Sequence, residues 1–401
     1  MLACARWPQT EPDRQLIANL CTHKLDLSHF LLLTRHHRLV PLVARNLQAS
    51  VAEPRSPDLE AIVDELRQLA AANAVQSLRT LAELRRIVQS LQSNGLSVRV
   101  LKGLPLAQSA FGDLSLRAAG DLDLLIDVDS PQQDAILQAD RILRSFGYRG
   151  LFDLHRLTPR QLTFYRAHWR DNAYNNPATG LEVDLHWALF RNRAMPGSNL
   201  CATPASARAH VRFGDLTVET LPPREDLLYL CVHGTFDGWL YLKSLVDVAA
   251  LVRTMSEPDL DSLASLAIAH GVLPELTAAL ILVRRYLAMD YWSARLLPPS
   301  DRTVAHILRY ADRSLVEGDF LADRPEIPHR ITMAFEFGLR RSLRYRCELL
   351  RRIVYRARMW QTFPLPDRLF ALYPLLSPIE WALFQLRKLR AKPPASVPPS
   401  K

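Results

Sequence analysis

Residues 100–126 read VLKGLPLAQSAFGDLSLRAAGDLDLLI, and this stretch decides the fold. It begins inside a segment, residues 96–101, whose alternating and β-branched residues predict a strand. Lys102 and Gly103 follow as a turn into a predicted short helix, and residues 121–127 form a second predicted strand. This order predicts a small β-sheet set within a chain that is otherwise rich in the helix-forming residues Leu, Ala and Arg.

The second strand carries two carboxylates on one face. Asp121 and Asp123 are two residues apart, so their side chains leave the same side of the strand about 7 Å apart. Hard cations prefer such oxygen ligands. A third predicted strand, residues 181–187 (LEVDLHW), is expected to add Asp184 to the cluster. Two Mg²⁺ ions held by these three residues would polarise a phosphoryl oxygen, activate an incoming hydroxyl and stabilise a leaving pyrophosphate.

The turn between the first strand and the helix suits a phosphate group. Gly103 lets the backbone approach a phosphate closely, and the helix that follows directs free N–H groups toward it. Lys102 supplies a point charge, and Arg117 in the next loop is expected to clamp a triphosphate oxygen through two nitrogens. The chain has no P-loop, GxGxxG, GxSxG or HExxH pattern, so the corresponding phosphate-binding, hydrolase and zinc-protease templates lack support.

Two further residues are candidates with a structural alternative beside the functional one. His186 shares the face of Asp184, where it either orients the acceptor or a carboxylate, or makes a structural hydrogen bond. Lys243 and Asp247 are four residues apart on a predicted helix. They form either an ordinary surface ion pair or part of a cleft in which Lys243 contacts phosphate.

The remaining sequence predicts helices on both sides of the strands. Residues 14–49 predict short helices, and Ser56-Pro57 predicts the start of a long helix that ends near Ser93. Further predicted elements are a helix over 131–146, an irregular region before the third strand, a short β segment over 211–221 and helices over 224–321. We therefore expect an α+β fold in four parts: an N-terminal helical region (1–95), a mixed core (96–222), a C-terminal helical region (223–330) and a basic extension (331–401).

Positive charge is concentrated in this extension. The chain has 401 residues and a formal net charge of +9. Residues 331–401 contain 14 Lys and Arg against four Asp and Glu, a charge of +10, so residues 1–330 carry a net charge of −1. Apolar residues at helical spacing predict a basic amphipathic helix within 338–360; they are Leu339, Leu343, Cys347, Leu350, Val354 and Ala357. The helix is expected to bind nucleic acid, an anionic membrane surface or an acidic partner, or else to dock on the core with its arginines in solvent.

Composition excludes several classes of protein. A hydrophobic fraction of 48% with 23% charged residues is typical of a folded chain and not of a disordered one. The apolar stretches over 245–252 and 261–284 are interrupted by charged residues or proline, so no transmembrane helix is expected. Residues 1–7 hold too few apolar side chains for the apolar stretch of a signal peptide, so none is expected. Five widely spaced cysteines without a CxxC pair indicate neither a disulfide framework nor a zinc ribbon, so a cytoplasmic location is expected.

The chain resembles the uncharacterised bacterial nucleotidyltransferases of the DNA polymerase β-like superfamily. The resemblance rests on residues 100–126, on EVDLHWAL at 182–189 and on LLYLCVHG…WLYLKSLVDVAAL at 227–251. It implies that the core is a mixed sheet of nucleotidyltransferase type. It also implies that Asp121 and Asp123 match the metal-binding pair, Asp184 the third carboxylate and Gly103 the glycine of the phosphate turn. The superfamily usually has Gly or Ser after that glycine, and here it is Leu104.

The sequence thus predicts an Mg²⁺-dependent nucleotidyltransferase that uses two ions. It is expected to transfer a nucleoside monophosphate from an NTP to an acceptor hydroxyl, with release of pyrophosphate. The acceptor stays open between a small molecule, a peptide, a protein and RNA. Two alternatives remain: a toxin-type transferase acting on tRNA, and a non-catalytic protein that keeps the fold and binds nucleotide or an anionic surface.

Overall fold

The N-terminal region consists of short helices, as the sequence predicts. The structure, a computed structural model, describes residues 1–53, 55–118, 120–127, 135–200, 202, 207–291, 295–316 and 329–390. The first helices are α1 (Glu11–Cys21), α2 (Leu27–His36) and α3 (Val40–Ser50). Thr10 caps α1 and Asp26 caps α2, because each side chain accepts a hydrogen bond from the first turn of its helix.

A long helix, α4 (Pro57–Ser93), connects this region to the sheet. Its predicted bounds are confirmed: Ser56 Oγ accepts a hydrogen bond from the N–H of Leu59, and Gly95 follows the helix with φ +76°. The N-terminal half of α4 buries apolar residues against α3, whereas the C-terminal half buries Leu84, Ile87, Val88 and Leu91 against the sheet. One continuous helix therefore contacts both the N-terminal helices and the core.

Within the described residues, one mixed sheet of seven strands forms the core. The strands are β1 (Val98–Leu101), β2 (Asp121–Ile126), β3 (Arg149–Gly150), β4 (Asp171–Asn175), β5 (Glu182–His186), β6 (Ala209–Phe213) and β7 (Leu216–Thr220). Their order across the sheet is β3-β4-β5-β2-β1-β7-β6. Strand β2 pairs antiparallel with β1 and parallel with β5, so the strands rich in acidic residues lie side by side at the centre.

The two faces of the sheet have different partners. On one face Leu122, Leu124 and Ile126 of β2 join the core formed with α4 and with α6 (Ala135–Ser145). The opposite face of β2 carries Asp121 and Asp123, because side chains alternate along a strand. This second face is turned toward the C-terminal helices.

The region between α6 and β5, which the sequence predicted to be irregular, contains regular elements. Helix α7 (Pro159–His168) begins with a capping box between Thr158 and Gln161, and β3 and β4 extend the sheet beyond β5. The prediction was wrong here because β4 reads DNAYN, a strand with little apolar alternation. Its pairing with β5 stabilises it, so tertiary context overrides local propensity.

The C-terminal helical region lies against the acidic face of the sheet. It contains α8 (Pro223–Phe236), α9 (Leu242–Val252), α10 (Glu257–Ala269), α11 (Leu273–Leu287) and α12 (Arg302–Val316). Gly238 and Trp239, both with positive φ, separate α8 from α9. His233 and Lys243 therefore lie on different helices. The fold is α+β and predominantly helical, as predicted, while the predicted four-part division of the chain stays a prediction.

The basic extension departs from the predicted amphipathic helix. It forms α13 (His329–Leu339), α14 (Leu343–Val354), α15 (Ala357–Thr362) and α16 (Tyr373–Arg390). The predicted stripe was wrong for α14, because Leu343 and Leu350 are exposed and the helix instead buries Tyr345, Glu348 and Leu349. Glu348 enters this buried face because it pairs with His168 and Arg351, which sequence periodicity does not reveal.

One helical stretch, Asp367–Leu386, is long and apolar enough to cross a membrane by length and composition. Only 17% of its most apolar part is buried in the protein. The prediction that the chain has no transmembrane segment is therefore not confirmed.

Candidate active site

Acidic side chains face each other across the central strands. In the parallel pair of β2 and β5, Asp123 lies directly opposite Asp184, and Asp121 lies opposite Glu182. Like charges directly opposite one another destabilise a sheet. This arrangement therefore needs cations, which either neighbouring side chains or bound metal ions supply.

Two side chains stabilise the charge of Asp123, which is buried. Lys102 Nζ lies 3.2 Å from Oδ1 of Asp123, and His186 Nε2 lies 3.0 Å from the same oxygen. Burial alone would raise the pKa of Asp123, but Lys102 and His186 outweigh it and hold the pKa far below its usual range. Asp123 is therefore ionised at neutral pH.

Asp184 differs from Asp123 because no side chain of the described residues donates a hydrogen bond to it, and the charge of His186 only partly offsets its burial. Burial and the neighbouring charge of Asp123 raise the pKa of Asp184 to about 6. Ligand atoms of Asp123, Asp184 and His186 lie within 4.8 Å of one another, close enough to hold one metal ion. Asp121 is exposed beside this group at the start of β2. The three predicted carboxylates thus come to one face, with His186 beside them.

The turn after β1 has an unusual backbone. Lys102 adopts φ +48° and Gly103 φ +43°, a region that side chains with a Cβ rarely occupy. A Cβ on Gly103 would meet only the backbone oxygen of Asp121, at 3.8 Å. The turn continues into α5 (Gly103–Leu106), as predicted, and places the Lys102 side chain over the carboxylates. A strained residue held in this way is typical of a functional position.

A second chain of contacts reaches Lys102 from α8. Lys102 Nζ lies 3.0 Å from Nε2 of His233, and Nδ1 of His233 lies 3.1 Å from Asp237. Because an ammonium group only donates, Nε2 of His233 accepts and Nδ1 carries the proton. Burial lowers the pKa of His233, although Asp237 opposes the shift. The contact between His233 and Lys102 could not be predicted from the sequence, because α8 and the turn after β1 meet only in the tertiary structure.

Arg117 is placed differently from the prediction. Its Nε and one terminal nitrogen donate to the two carboxylate oxygens of Asp247, at 2.8 and 2.9 Å, and the other terminal nitrogen donates to the backbone oxygen of Gly103, at 3.1 Å. All its nitrogens are thus used within the protein. This pairing avoids the cost of burying an unpaired guanidinium. Through its bond to the oxygen of Gly103, Arg117 supports the turn.

Lys243 contacts the same group of charges. Its Nζ lies 3.4 Å from Asp247, and the two side chains are 17% and 4% exposed, so the pair is not an ordinary surface ion pair. Burial and the charge of Arg117 lower the pKa of Lys243 to about 8, although Asp247 and Asp121 oppose the shift. The interaction with Asp121 places Lys243 at the acidic end of β2, where the prediction of a phosphate contact still stands.

Sequence reasoning missed three arginines on the other side of the carboxylates. Arg170 precedes β4 and donates to Asp171, whose carboxylate lies 3.8 Å from Nδ1 of His186. Arg191 follows β5, and Arg352 lies on α14. Burial and the charges of Arg191 and Arg170 lower the pKa of Arg352, so the three charges are close enough to interact. No motif could have revealed this, because the three come from segments far apart in the sequence.

Comparison with known protein families agrees with this geometry. A family described as uncharacterised nucleotidyltransferases matches residues 23–288. The chain belongs to this nucleotidyltransferase family. The resemblance found in the sequence is thereby confirmed, whereas a bacterial origin stays a prediction. Arg352 and the rest of the basic extension lie beyond the matched residues.

A solved structure is also similar to this chain. It is an antigenic nucleotidyltransferase-like protein from Paracoccidioides brasiliensis, 16% identical, with a TM-score of 0.32, and the match covers 57% of this chain and 96% of that one. No curated protein matches the chain significantly.

Proposed function

We propose that the protein is a metal-dependent nucleotidyltransferase that transfers a nucleoside monophosphate from an NTP to an acceptor hydroxyl and releases pyrophosphate. The observation that carries the proposal is the register of β2 and β5, which sets Asp123 opposite Asp184 with Asp121 two residues away. Carboxylates are placed so close together where a cation is to be held between them.

The donor set fits Mg²⁺. Asp121, Asp123 and Asp184 offer hard oxygen ligands. Lys102 and His186 both contact Oδ1 of Asp123, which leaves its Oδ2 available to a cation. His186 orients Asp123 through its Nε2 hydrogen bond and is assigned a positioning role. When bound, two Mg²⁺ ions would polarise the α-phosphate and neutralise charge on the leaving pyrophosphate.

The residues around the turn after β1 would bind the triphosphate. Gly103 allows the backbone to approach it, and Lys102 and Lys243 supply positive charge from two directions. Arg117 fixes the carbonyl of Gly103 and thereby the shape of the turn. We assign Arg117 this supporting role in place of direct contact with phosphate.

Asp184 is the residue proposed to accept the proton of the acceptor hydroxyl. Without a bound ion, burial and the charge of Asp123 raise the pKa of Asp184 to about 6, so its carboxylate is mostly ionised at neutral pH and able to accept a proton. The acceptor oxygen forms a bond to the α-phosphorus, the bond from that phosphorus to the β-phosphate oxygen breaks, and pyrophosphate leaves. The hydroxyl proton passes to a carboxylate oxygen of Asp184.

Thermal unfolding with each NTP, with and without Mg²⁺, tests this proposal. At a ligand concentration of 100 times Kd, binding stabilises the native state by about 2.7 kcal/mol. We expect an Mg²⁺-dependent rise in Tm with at least one NTP, together with pyrophosphate release once an acceptor is supplied. Asp121→Asn should abolish both, whereas Asp64→Asn, at a half-exposed carboxylate on α4, should abolish neither.

Other outcomes would favour the alternatives. Near wild-type turnover in Asp121→Asn would refute the assignment of the metal site. Nucleotide binding without transfer to small molecules, peptides, proteins or RNA would favour a non-catalytic protein. Transfer to tRNA alone would identify the toxin-type activity.

A further inference from the structure

Three arginines converge at the β4 side of the carboxylates through contacts that join α14 to the core. Nδ2 of Asn192, next to Arg191, donates to the backbone oxygen of Tyr345 at 3.0 Å. His168, two residues before Arg170, pairs with Glu348 at 2.7 Å.

Arg352 lies one helical turn after Glu348 and two turns after Tyr345, on the face of α14 that is turned inward. Arg191 therefore adjoins the contact between Asn192 and Tyr345, whereas Arg170 and Arg352 lie near the contact between His168 and Glu348.

Arg352 is the member of this cluster whose hydrogen-bonding capacity is least used. Arg170 is paired with Asp171, and the charge of Arg191 interacts with Asp171 and Asp237. Glu336 and Asp171 attract Arg352. Within the described residues, however, neither Arg191 nor Arg352 makes a side-chain hydrogen bond or an ion pair, and the Nε of Arg352 is buried without a partner. Arg191 is exposed and Arg352 half-buried, so the unsatisfied atom is the Nε of Arg352; a buried guanidinium nitrogen without a partner is costly, and an anion relieves that cost.

The cluster and the phosphate turn lie on opposite sides of the carboxylates. The turn follows β1, the carboxylates lie on β2 and β5, and Arg170 precedes β4, so the two basic groups approach the carboxylates from strands on either side of them, although the charges of Lys102 and Arg170 still interact. A triphosphate bound at the turn leaves the arginine cluster to a second anion.

Given the proposed function, on which this inference rests, we propose that Arg170, Arg191 and Arg352 bind an anionic group, a phosphate or a carboxylate, of the acceptor. The basic extension thereby contributes a residue to the site of the family-matched core.

Binding of inorganic phosphate tests the site without any need for turnover. We expect Arg352→Gln to weaken phosphate binding about tenfold, because it removes a charge-assisted contact, and Arg352→Lys to retain part of the affinity. Arg344→Gln is the matched control, since Arg344 is exposed on the same helix. Equal phosphate affinity in wild type and Arg352→Gln would overturn the proposal.

A second arm measures Mg²⁺-dependent binding of the four NTPs to the same variants. Unchanged nucleotide affinity in Arg352→Gln supports an acceptor site, whereas an equal loss assigns the cluster to the triphosphate and overturns it. If wild type binds no nucleotide while its phosphate affinity still depends on Arg352, the anion site stands and the proposed function fails.

A separate observation concerns the outer surface of α14 and α16, which pack against each other. On α16 an apolar stripe at steps of 4, 3 and 4 faces solvent: Leu375, Ile379, Ala382 and Leu386. On α14 Leu343, Cys347 and Leu350 do the same. Leu343 and Leu375 are 78% and 72% exposed. Such contiguous exposed apolar faces mark interaction surfaces.

Among the described residues from α14 to α16, the exposed charged side chains are of one sign. Arg341, Arg344 and Arg368 are exposed, whereas Glu348 and Glu380 are buried. An apolar face flanked by arginines fits the interface of an anionic bilayer, where leucines enter the acyl region and arginines meet lipid phosphates.

The inner face of α16 argues against a crossing helix. Glu380 is held by Arg358 at 2.8 Å, and the guanidinium of Arg358 lies over the ring of Phe384. A crossing would break these contacts and take an ionised pair into hydrocarbon. We therefore infer that α14 and α16 lie on an anionic membrane surface in its plane, with their exposed stripes inserted.

Sedimentation with vesicles tests this inference. Wild type should bind vesicles that contain phosphatidylglycerol much more strongly than vesicles of phosphatidylcholine alone, and high salt should weaken the binding. Leu375→Ser/Ile379→Ser should reduce partitioning at least tenfold. Leu20→Ser/Leu78→Ser removes two exposed leucines elsewhere and should leave partitioning unchanged.

Three results would overturn the membrane assignment. Equal partitioning to both kinds of vesicle would show that anionic lipid does not contribute to binding. A dimer that Leu375→Ser/Ile379→Ser dissociates, without vesicle binding, makes the face a contact between copies. RNA binding that Arg344→Gln/Arg368→Gln weakens, but the leucine variant does not, assigns the charge to nucleic acid.

Discussion

Replacement of Asp123 by asparagine, measured without metal, tests how far the charge of this residue stabilises the fold, apart from its proposed role as a metal ligand. Asp123 is 3% exposed, and its Oδ1 contacts Lys102 and His186. At 3.2 Å and an effective dielectric constant of 20, the attraction between Lys102 and Asp123 is about 5 kcal/mol before desolvation is counted. Asparagine keeps the shape of the side chain but leaves the charge of Lys102 without this carboxylate partner. Since loss of one partner of a buried pair costs about 3–5 kcal/mol, we expect Asp123→Asn to lower the free energy of unfolding by about 3 kcal/mol.

Asp121→Asn is the matched control on the same strand. Asp121 is exposed and makes no side-chain hydrogen bond or ion pair among the described residues, so its replacement should change stability by no more than about 0.5 kcal/mol. Both variants should lose metal-dependent activity. The assay is urea unfolding followed by circular dichroism in the presence of EDTA, so that metal does not contribute.

The pH dependence adds a second readout. Because the pKa of Asp123 is lowered in the folded state, its stabilising effect is present above the unfolded pKa of about 4 and is lost as the pH falls through the folded value. The difference between wild type and Asp123→Asn should therefore shrink in acid. Lys102→Met in the Asp123→Asn background should recover part of the loss, because it removes the stranded charge. An Asp123→Asn protein as stable as wild type at pH 7 would refute this reasoning.

Three further predictions concern the residues behind the site. Burial raises the pKa of Asp226 to about 7, so the stability of wild type relative to Asp226→Asn should fall by about 1 kcal/mol per pH unit from pH 4 to 7, as urea titrations would show; a flat difference contradicts it. Asp247→Asn should cost about 3–5 kcal/mol of unfolding free energy, because it strands Arg117, while Lys243→Gln should cost less, since its contact is longer. Equal losses in the two variants would argue against this order. Gly103→Ala should preserve the fold at a cost of about 1 kcal/mol and raise the KM for NTP, because φ +43° disfavours a Cβ; an unchanged KM would remove the turn from the phosphate site.

Much of the fold could be predicted because it follows from local patterns. The cap at Ser56 and the glycine after α4 fixed the bounds of that helix, and alternation in β2 fixed the shared face of Asp121 and Asp123. Strand β4 escaped prediction because its residues become a strand only through pairing with β5. The stripe predicted on α14 failed because the buried Glu348 depends on a partner 180 residues away.

Part of the candidate site could likewise be predicted from local patterns. The spacing of Asp121 and Asp123, the Lys102-Gly103 turn and the motif around Asp184 indicate the nucleotidyltransferase family from sequence, because each depends on neighbours in the chain.

Only the tertiary structure decided that Asp123 faces Asp184, that Arg117 is committed to Asp247 and that Arg352 joins Arg170 and Arg191. Strand register, the pairing of buried charges and the docking of distant helices are set by energies between segments remote in sequence, and local periodicity carries no information about them.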